Sequence, residues 1–373
     1  MTKILHTADW QIGRLYGTFD PDDAVPLAEA RFAAVERLAV LATREQVDAV
    51  VVAGDVFDAQ TVSARSIRRL FNAMAGYTGA WVLIPGNHDA ALAESVWTHA
   101  LRLGAVPAHV HLALEPKAIE LANQRVVLLC APPTQRHTHA DLTDWFDHHE
   151  TPSGWLRIGV AHGAVQGVLA EGIASTNPIA PDRAVRARLD YLALGDWHGT
   201  KCIDERTWYS GTPEPDRFKS NGAGQALLVE IDHSGALPRV QVVRTAQYLW
   251  QQLAVHLSVA SDLDVLIATL AQVEAQDVLE LTVTGSVNLA DHDRLHAALG
   301  SAQARVRCLR LDLGDLHLTP TPEDIASLHA DGYLGEVIAE LRDTTGADAQ
   351  RAQGALAILT RLLTERNAQR VSP

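Results

Sequence analysis

The stretch Asp48-Ala49-Val50-Val51-Val52-Ala53-Gly54-Asp55-Val56-Phe57-Asp58 decides the fold. A run of β-branched and small apolar residues reads as a buried strand, and it ends abruptly in a glycine and a carboxylate that has nothing apolar left to do. The same punctuation recurs along the chain. Trp81-Val82-Leu83-Ile84-Pro85 leads into Gly86-Asn87-His88-Asp89, and Asp190-Tyr191-Leu192-Ala193-Leu194 leads into Gly195-Asp196-Trp197-His198. Arg157-Ile158-Gly159-Val160-Ala161 runs into His162-Gly163, and the first strand, near Ile4 and Leu5, into Asp9-Trp10-Gln11. The polar chemistry therefore sits at strand ends, where loops of an open or sandwiched α/β sheet converge on one pocket. Carboxylate, amide oxygen and imidazole on such loops form a ligand set for hard or borderline divalent cations such as manganese.

The bulk composition is that of an ordinary globular protein, with 373 residues and 47% hydrophobic content, enough for two or three domains. No apolar run approaches a membrane span, and no basic segment followed by an apolar one opens the chain, so a cytoplasmic protein with no membrane partner is expected. Cys130, Cys202 and Cys308 lie far apart without CxxC spacing, which argues against a disulfide framework or a zinc knuckle; Cys130 closes an apolar strand and reads as a small core residue. A net charge of −14 excludes a globally basic nucleic-acid coat but leaves room for local arginine clusters facing phosphate. A P-loop sequence is absent.

Strands and helices alternate from Lys3 to about Val243, and residues 1–244 are expected to form one α/β domain with a mixed sheet. Arg31 to Ala42 has the apolar spacing of an amphipathic helix through Phe32, Val35, Leu38, Ala39 and Ala42. A second helix is predicted after Ser63, a suitable N-cap, burying Ile67, Leu70, Phe71 and Met74. A compact β-α-β-α-β pattern over 245–319 predicts a small second α/β domain. Residues 320–373 read as a helical segment in which Pro322 suits a first turn and Ala352, Ala355, Leu356, Leu359, Leu362 and Leu363 share one face.

Taken singly, Asp9 is a common turn former at a strand end, and Asn87 with His88 has an alternative reading as a turn sealed by an Asx hydrogen bond with a surface histidine. Taken in order, Asp9, Asp55, Asn87, His88, His162 and His198 at successive strand ends resemble the calcineurin-like metallophosphoesterases. Within that superfamily the chain is similar to SbcD-type nuclease subunits of double-strand-break repair complexes. The resemblance extends to Leu5-His6-Thr7-Ala8-Asp9-Trp10, to Gly13-Arg14, and to Ser210-Gly211-Thr212-Pro213-Glu214-Pro215. It implies a β-sandwich flanked by helices, with a small α/β capping domain and C-terminal helices. It also implies two divalent metal ions, manganese foremost and magnesium as the alternative. In this resemblance Asp55 bridges both ions, Asp9, Gln11 and His198 belong to the first, and Asn87, His162 and Asp196 to the second. His88 stabilises the transition state or protonates the leaving oxygen, Asp58 orients it, and Arg14 contacts substrate. Two such ions activate a water and hold the phosphoryl oxygens on both sides of an in-line displacement.

Two positions depart from the family pattern. Gln11 and Asp196 stand where imidazole ligands are usual; a neutral amide oxygen is a weaker donor, so the first ion should be held less tightly. His6 fits no ligand position, and His137, His139, His148 and His149 are expected to be structural or surface residues. Arg65, Arg68 and Arg69, and Arg183, Arg186 and Arg188, read either as solvated helix faces or, with Arg14, Lys201, Arg217 and Lys219, as a groove for a phosphate backbone. Trp10 and Trp197, each beside a metal position, are expected to pack rather than stack on a base.

The resulting expectation is a dinuclear-metal DNA phosphodiesterase, an exo- and endonuclease acting in DNA repair or end processing. Its implied partners are DNA, an SMC-like ATPase of the SbcC type and a second copy of the chain, the C-terminal apolar face at Ala352, Leu356, Leu359 and Leu363 serving the ATPase or packing on its own domain. The alternatives are a phosphodiesterase of small nucleotides and a weakly active DNA-binding protein with a degenerate metal site.

Overall fold

The computed structural model describes residues 1–168, 177–319 and 321, residues 333–345, and scattered positions between 348 and 363. It divides into two compact units, Met1–Leu249 and Trp250–Pro373.

The first unit runs β1 (Thr2–Thr7), α1 (Pro21–Arg44), β2 (Ala49–Ala53), α2 (Ala64–Ala73), β3 (Ala80–Ile84), α3 (Val96–Arg102), β4 (Val110–Leu112), β5 (Lys117–Leu121) and β6 (Val126–Ala131). It continues with β7 (Leu156–His162), β8 (Ala164–Val165), β9 (Pro178–Ile179), α4 (Arg183–Arg186), β10 (Tyr191–Gly195), β11 (Lys201–Cys202), β12 (Thr207–Tyr209), β13 (Gln225–Ile231) and β14 (Arg239–Arg244). Two mixed six-stranded sheets result, ordered β14-β13-β1-β2-β3-β4 and β11-β12-β10-β7-β6-β5. The central strands β1, β2, β3 and β4 pair parallel, as do β6, β7, β10 and β12, while β13, β14, β5 and β11 add antiparallel edges.

The sheets lie face to face, and strand periodicity explains why their sequences are apolar throughout. In β2, Ala49, Val51 and Ala53 turn into the core between the sheets, where they meet Leu128, Cys130, Ile158, Val160 and Ala193 of the second sheet. Val50 and Val52 turn outward, against Leu38, Ala42, Ile67 and Leu70 of α1 and α2. In the second sheet Val127, Leu129, Leu192 and Leu194 pack outward on Phe146, Ala184 and Leu189. A strand covered on both faces loses the polar alternation of a one-sided sheet. Each fully buried valine of β2 contributes about 1.5–3 kcal/mol by leaving water.

Helix α1 begins ten residues before the predicted start, because Pro21 stands in the first turn, Asp22 and Asp23 suit its positive end, and Arg31 turns inward and is only 2% exposed. Helix α2 begins as expected, with the Ser63 hydroxyl accepting from the Ser66 N–H at 3.1 Å.

The second unit contains β15 (Leu249–Leu257), α5 (Ala260–Leu270), β16 (Asp277–Val287), α6 (Leu289–Gln303), β17 (Cys308–Asp312) and β18 (Leu316–Leu318). Its sheet has the order β15-β16-β17, with β18 also on β16, and Leu257, Leu263, Leu266, Leu281, Val283 and Leu295 form its core. A helix spans Tyr333–Asp343, and the described residues between 351 and 363 are also helical. Pro322 and the polar tail after Glu365 lie outside the described residues. Leu356 and Leu363 are buried with Ile338, and Leu334, Leu341 and Leu359 pack around them. Of the two readings of this face, Leu356, Leu359 and Leu363 follow the second and pack on the chain's own helix, while Ile358 and Leu362 are the apolar residues left exposed there. Among the described residues no helix is long and apolar enough to cross a membrane.

Candidate metal centre

The carboxyl ends of β1, β2, β3, β7 and β10 bring the five polar segments together. The loop after β1 is stitched to the loop after β2 by backbone bonds from Asp9 N to Gly54 O at 3.0 Å, Gln11 N to Asp55 O at 2.9 Å and Ile12 N to Val56 O at 2.9 Å. Sharp reversals accompany these bonds, and Asp9 (φ 54°), Gln11 (φ 47°) and Asp55 (φ 50°) all adopt the left-handed region that L side chains rarely enter, as does Asp196 (φ 100°) after β10. Strained backbone at four positions of one cluster is the kind of cost that persists where the surroundings over-determine it. Gly86 serves the same packing differently: a Cβ there would overlap Asp55 Oδ1 and come within 2.7 Å of His162 Cε1.

Asp9, Asp55 and His162 are buried, and each offers a ligand atom within 4.8 Å of the others. The His162 Nδ1 lies 2.8 Å from the Ala53 carbonyl, which can only accept, so Nδ1 carries the hydrogen and Nε2 is directed into the cluster. That Nε2 faces Asn87 Oδ1 at 3.2 Å, Asp55 Oδ1 at 3.5 Å and Asp196 Oδ1 at 3.6 Å. A ring nitrogen among three acceptors requires a positive charge between them, either a proton or a cation, and the donor set suits a divalent ion. Its second nitrogen fixed by a backbone carbonyl is the usual support of a metal-binding imidazole. His198 is held alike, its Nδ1 lying 3.1 Å from the Asp216 carboxylate and its Nε2 directed at Gln11. Arg217 also approaches that Nδ1, at 2.9 Å, but binds the Asp216 carboxylate as well, which lets His198 donate to Asp216 and leaves Nε2 as an acceptor facing Gln11.

Titration behaviour follows from this crowding. Burial alone would lower His162, but the carboxylates of Asp55, Asp196 and Asp9 raise it to about 9. Burial raises Asp9 to about 6 against the pull of His198 and His162, and it raises Asp196 likewise against His162. Burial also acts to raise Asp216, yet hydrogen bonds from His198 and Arg217 outweigh it and hold that carboxyl far below the usual range.

Several expected roles change. Asp58 reaches His88 through its backbone carbonyl, 2.9 Å from His88 Nδ1, while its carboxylate pairs with Arg14 at 3.2 Å; it is thus not a side-chain acid orienting the histidine. The carbonyl fixes the hydrogen on Nδ1 and leaves His88 Nε2 unengaged among the described residues, and the His88 N–H donates to Asp55 Oδ1 at 2.9 Å. Arg14 donates to Gln11 Oε1 at 2.8 Å, so the oxygen proposed as a ligand points away from the cluster. The Gln11 amide nitrogen lies instead 3.4 Å from Asp55 Oδ2 and 3.3 Å from His198 Nε2. The groove reading fails for Arg183, fully buried against Asp141 and Asp147 at 2.8 and 2.7 Å and against Asp144, and Arg186 pairs with Asp147. Arg69 binds Glu29 at 2.6 Å and stacks on Phe32.

Among the residues expected to be structural, His6 and the two tryptophans pack within the fold. His6 is buried between Tyr191 and the Leu194 carbonyl, and burial lowers it to about 3. Trp10 donates to Thr7 Oγ1 and packs edge-on against Trp81. Trp197 packs on the outer core of the second sheet, with Lys201 and Lys219 against its ring. His137 and His139 are exposed.

Three supporting residues escaped the sequence reading. Asp89 is fully buried and accepts from Gly86 N at 2.6 Å and Phe57 N at 3.0 Å, clamping the third loop to the second; burial pushes it up to about 7. Asp216 directly follows the Ser210–Pro215 segment, whose spacing was the available signal. Arg31 joins Tyr16 OH and Trp10 O to Thr212 and Glu214, fastening that segment beneath the first loop.

Residues 2–180 match the sequence profile of the Calcineurin-like phosphoesterase family. The chain is 28% identical over 284 residues to the SbcD subunit of the nuclease SbcCD from Rhodobacter capsulatus, covering 64% of this chain and 68% of that protein. It is 30% identical over 267 residues to the SbcD subunit of the nuclease SbcCD from Bacillus subtilis, covering 61% and 65% respectively. It is 24% identical over 276 residues to the uncharacterized metallophosphoesterase YhaO of Bacillus subtilis, covering 70% and 65%.

Proposed function

We propose that this chain, whose residues 2–180 belong to the calcineurin-like phosphoesterases, is a nuclease that hydrolyses phosphodiester bonds of DNA with two divalent cations, manganese foremost. The observation that carries the reading is the convergence of Asp9, Asp55 and His162 within 4.8 Å, beside an imidazole, His88, whose Nε2 is unengaged among the described residues. Asp55 would serve both cations, Asp9 and His198 the first, and Asn87, His162 and Asp196 the second. Such cations supply charge at the phosphoryl oxygens and an activated water. His88 Nε2 would hold a proton for the leaving oxygen when the ring is protonated.

The choice of DNA rests on the relatives named as SbcD subunits of the nuclease SbcCD. That name, of one component in a larger nuclease, also supports a place beside another protein. We assign that place to an SMC-like ATPase of the SbcC type, with the chain acting as a homodimer in DNA repair or end processing in the cytoplasm. Within this reading residues 1–244 are the nuclease domain, 245–319 a capping domain and 320–373 the partner-binding segment.

The test is Asp55→Asn. Asparagine tolerates the left-handed backbone at this position, so the fold should survive while the charge between the cations is lost. Manganese-dependent cleavage of labelled single- and double-stranded DNA should disappear together with bound manganese. Cleavage and metal content at the wild-type level would refute the assignment, and wild-type hydrolysis confined to small nucleotides would refute DNA as the substrate.

A further inference from the structure

We infer that Arg14 controls the cation position beside Asp9 and His198, by holding the Gln11 carboxamide with its hydrogens turned toward that position until a substrate phosphate draws the guanidinium away. The inference rests on the dinuclear reading above and adds to it a reason for unequal occupancy and a route for relieving it.

The orientation of Gln11 follows from donor and acceptor chemistry. A guanidinium only donates, so the atom 2.8 Å from Arg14 Nη1 must be the amide oxygen. The amide nitrogen then falls 3.4 Å from Asp55 Oδ2, which only accepts, and 3.3 Å from His198 Nε2. Turning the amide over would set donor against Arg14 and acceptor against Asp55. A cation beside Asp55 would cure the second conflict but not the first, so Arg14 is the remaining obstacle to Gln11 acting as a ligand. With its hydrogens inward, Gln11 adds no donor atom to the first position and competes for the His198 and Asp55 atoms that a cation needs. At the other position, Asp55 Oδ1 accepts from the His88 N–H at 2.9 Å, but Asn87 presents its oxygen rather than its hydrogens to His162 Nε2, at 3.2 Å.

Arg14 is itself poised between partners. It also touches Asp58 Oδ1 at 3.2 Å and Asp216 Oδ2 at 3.4 Å, and its side chain keeps 26% of its surface exposed. An incoming phosphodiester oxygen is a charged acceptor and outcompetes the neutral amide oxygen of Gln11 for a guanidinium hydrogen. Release of Gln11 then lets its oxygen turn inward as the phosphate arrives, so that cation loading and substrate binding favour each other.

The experiment is manganese titration, by calorimetry and by loss of the free-ion electron paramagnetic resonance signal, on the wild-type chain, Arg14→Met, Gln11→Ala and the double variant. The wild-type chain should bind one ion tightly and a second at least about tenfold more weakly, and dimethyl phosphate should narrow that gap. Arg14→Met should tighten the weak site by about tenfold, the scale of a group that orients a ligand from behind. In the Gln11→Ala background the same substitution should have little effect, because its target is gone. An equal gain in both backgrounds would mean that Arg14 acts only through its charge, and would overturn the inference. Two equal sites in the wild-type chain would overturn it without any variant. Binding of no manganese at all would instead defeat the metal centre itself.

Discussion

Replacing Gly86 by alanine inserts one methyl group between two parts of the cluster that cannot yield. Gly86 has no left-handed backbone to lose, so the effect is steric. The new carbon would overlap Asp55 Oδ1 and Asp55 N and lie 2.7 Å from His162 Cε1, whereas carbon contacts settle near about 3.5–4.0 Å. Relief needs a displacement of roughly 1 Å. Asp55 is pinned by Gln11 N on its carbonyl and His88 N on its carboxylate, and His162 by the Ala53 carbonyl. Overpacking of this kind costs about 1–3 kcal/mol. At about 2–4 °C per kcal/mol for a unit of this size, the metal-free protein should melt roughly 2–12 °C lower. A catalytic group misplaced by about 1 Å loses on the order of 100-fold in rate. Thermal melting of the metal-free chain, manganese titration and DNA hydrolysis together measure these effects. A variant melting at the wild-type temperature with unchanged manganese affinity would show that Gly86 does not abut Asp55, and the geometry of the centre would have to be redrawn.

Substituting His88→Asn should leave manganese content intact, since the backbone N–H that supports Asp55 remains, while turnover falls by about 100- to 10,000-fold; loss of metal would move His88 into the coordination shell. Manganese affinity should climb with pH: His162, raised to about 9 in the metal-free chain, must shed its proton to bind, so affinity should increase about tenfold per unit up to that pH and level off above it, and a flat profile from pH 7 to 9 would exclude His162 as a ligand. The same proton stabilises the metal-free fold, a contribution fully present below the ordinary histidine value and lost as pH rises through about 9. Arg183→Met should destabilise the fold by roughly 3 kcal/mol, because it strands the Asp141 and Asp147 carboxylates, and should leave the DNA dependence of cleavage unchanged; weakened DNA binding at full stability would restore Arg183 to the groove.

The sandwich was legible because burial on both faces writes itself into a strand as an uninterrupted apolar run. β2, β3, β7 and β10 all carry that signature, and each is followed by its functional loop. The start of α1 was obscured by two features a periodicity argument discounts: prolines at 21 and 26, and the buried Arg31, whose role is to tie the first loop to Thr212 and Glu214. Of the apolar face predicted for the terminal helix, Ala352, Leu356 and Leu363 are buried while Ala355 and Leu362 are exposed, and a face does not name its partner. Ile338, in a helix about twenty residues away, covers it. The arginines at 183 and 186 were ambiguous for a related reason: their partners, Asp141, Asp144 and Asp147, sit in a separate segment whose charges are evident but whose approach is not.

At the centre itself, strand ends announced which residues converge but not which atom each one turns inward. Asp58 illustrates the difference, since its carbonyl and its carboxylate serve His88 and Arg14 respectively. Gln11 makes the same point with larger consequences. A sequence comparison treats glutamine as a weaker substitute for histidine, a ligand with a poorer atom. In the structure the poorer atom is bound to Arg14, three residues on, and the inward atom is a donor. On the dinuclear reading the substitution would therefore change the sign of the interaction with a cation as well as its strength, and it would do so through a partly exposed arginine. Asp196 departs in the opposite sense: it replaces a neutral ring by a carboxylate beside His162 and keeps its backbone N–H on Asp9. On the dinuclear reading one position would lose a donor while the other would gain a charge, which would concentrate affinity at the second cation and leave the first to be completed when substrate arrives.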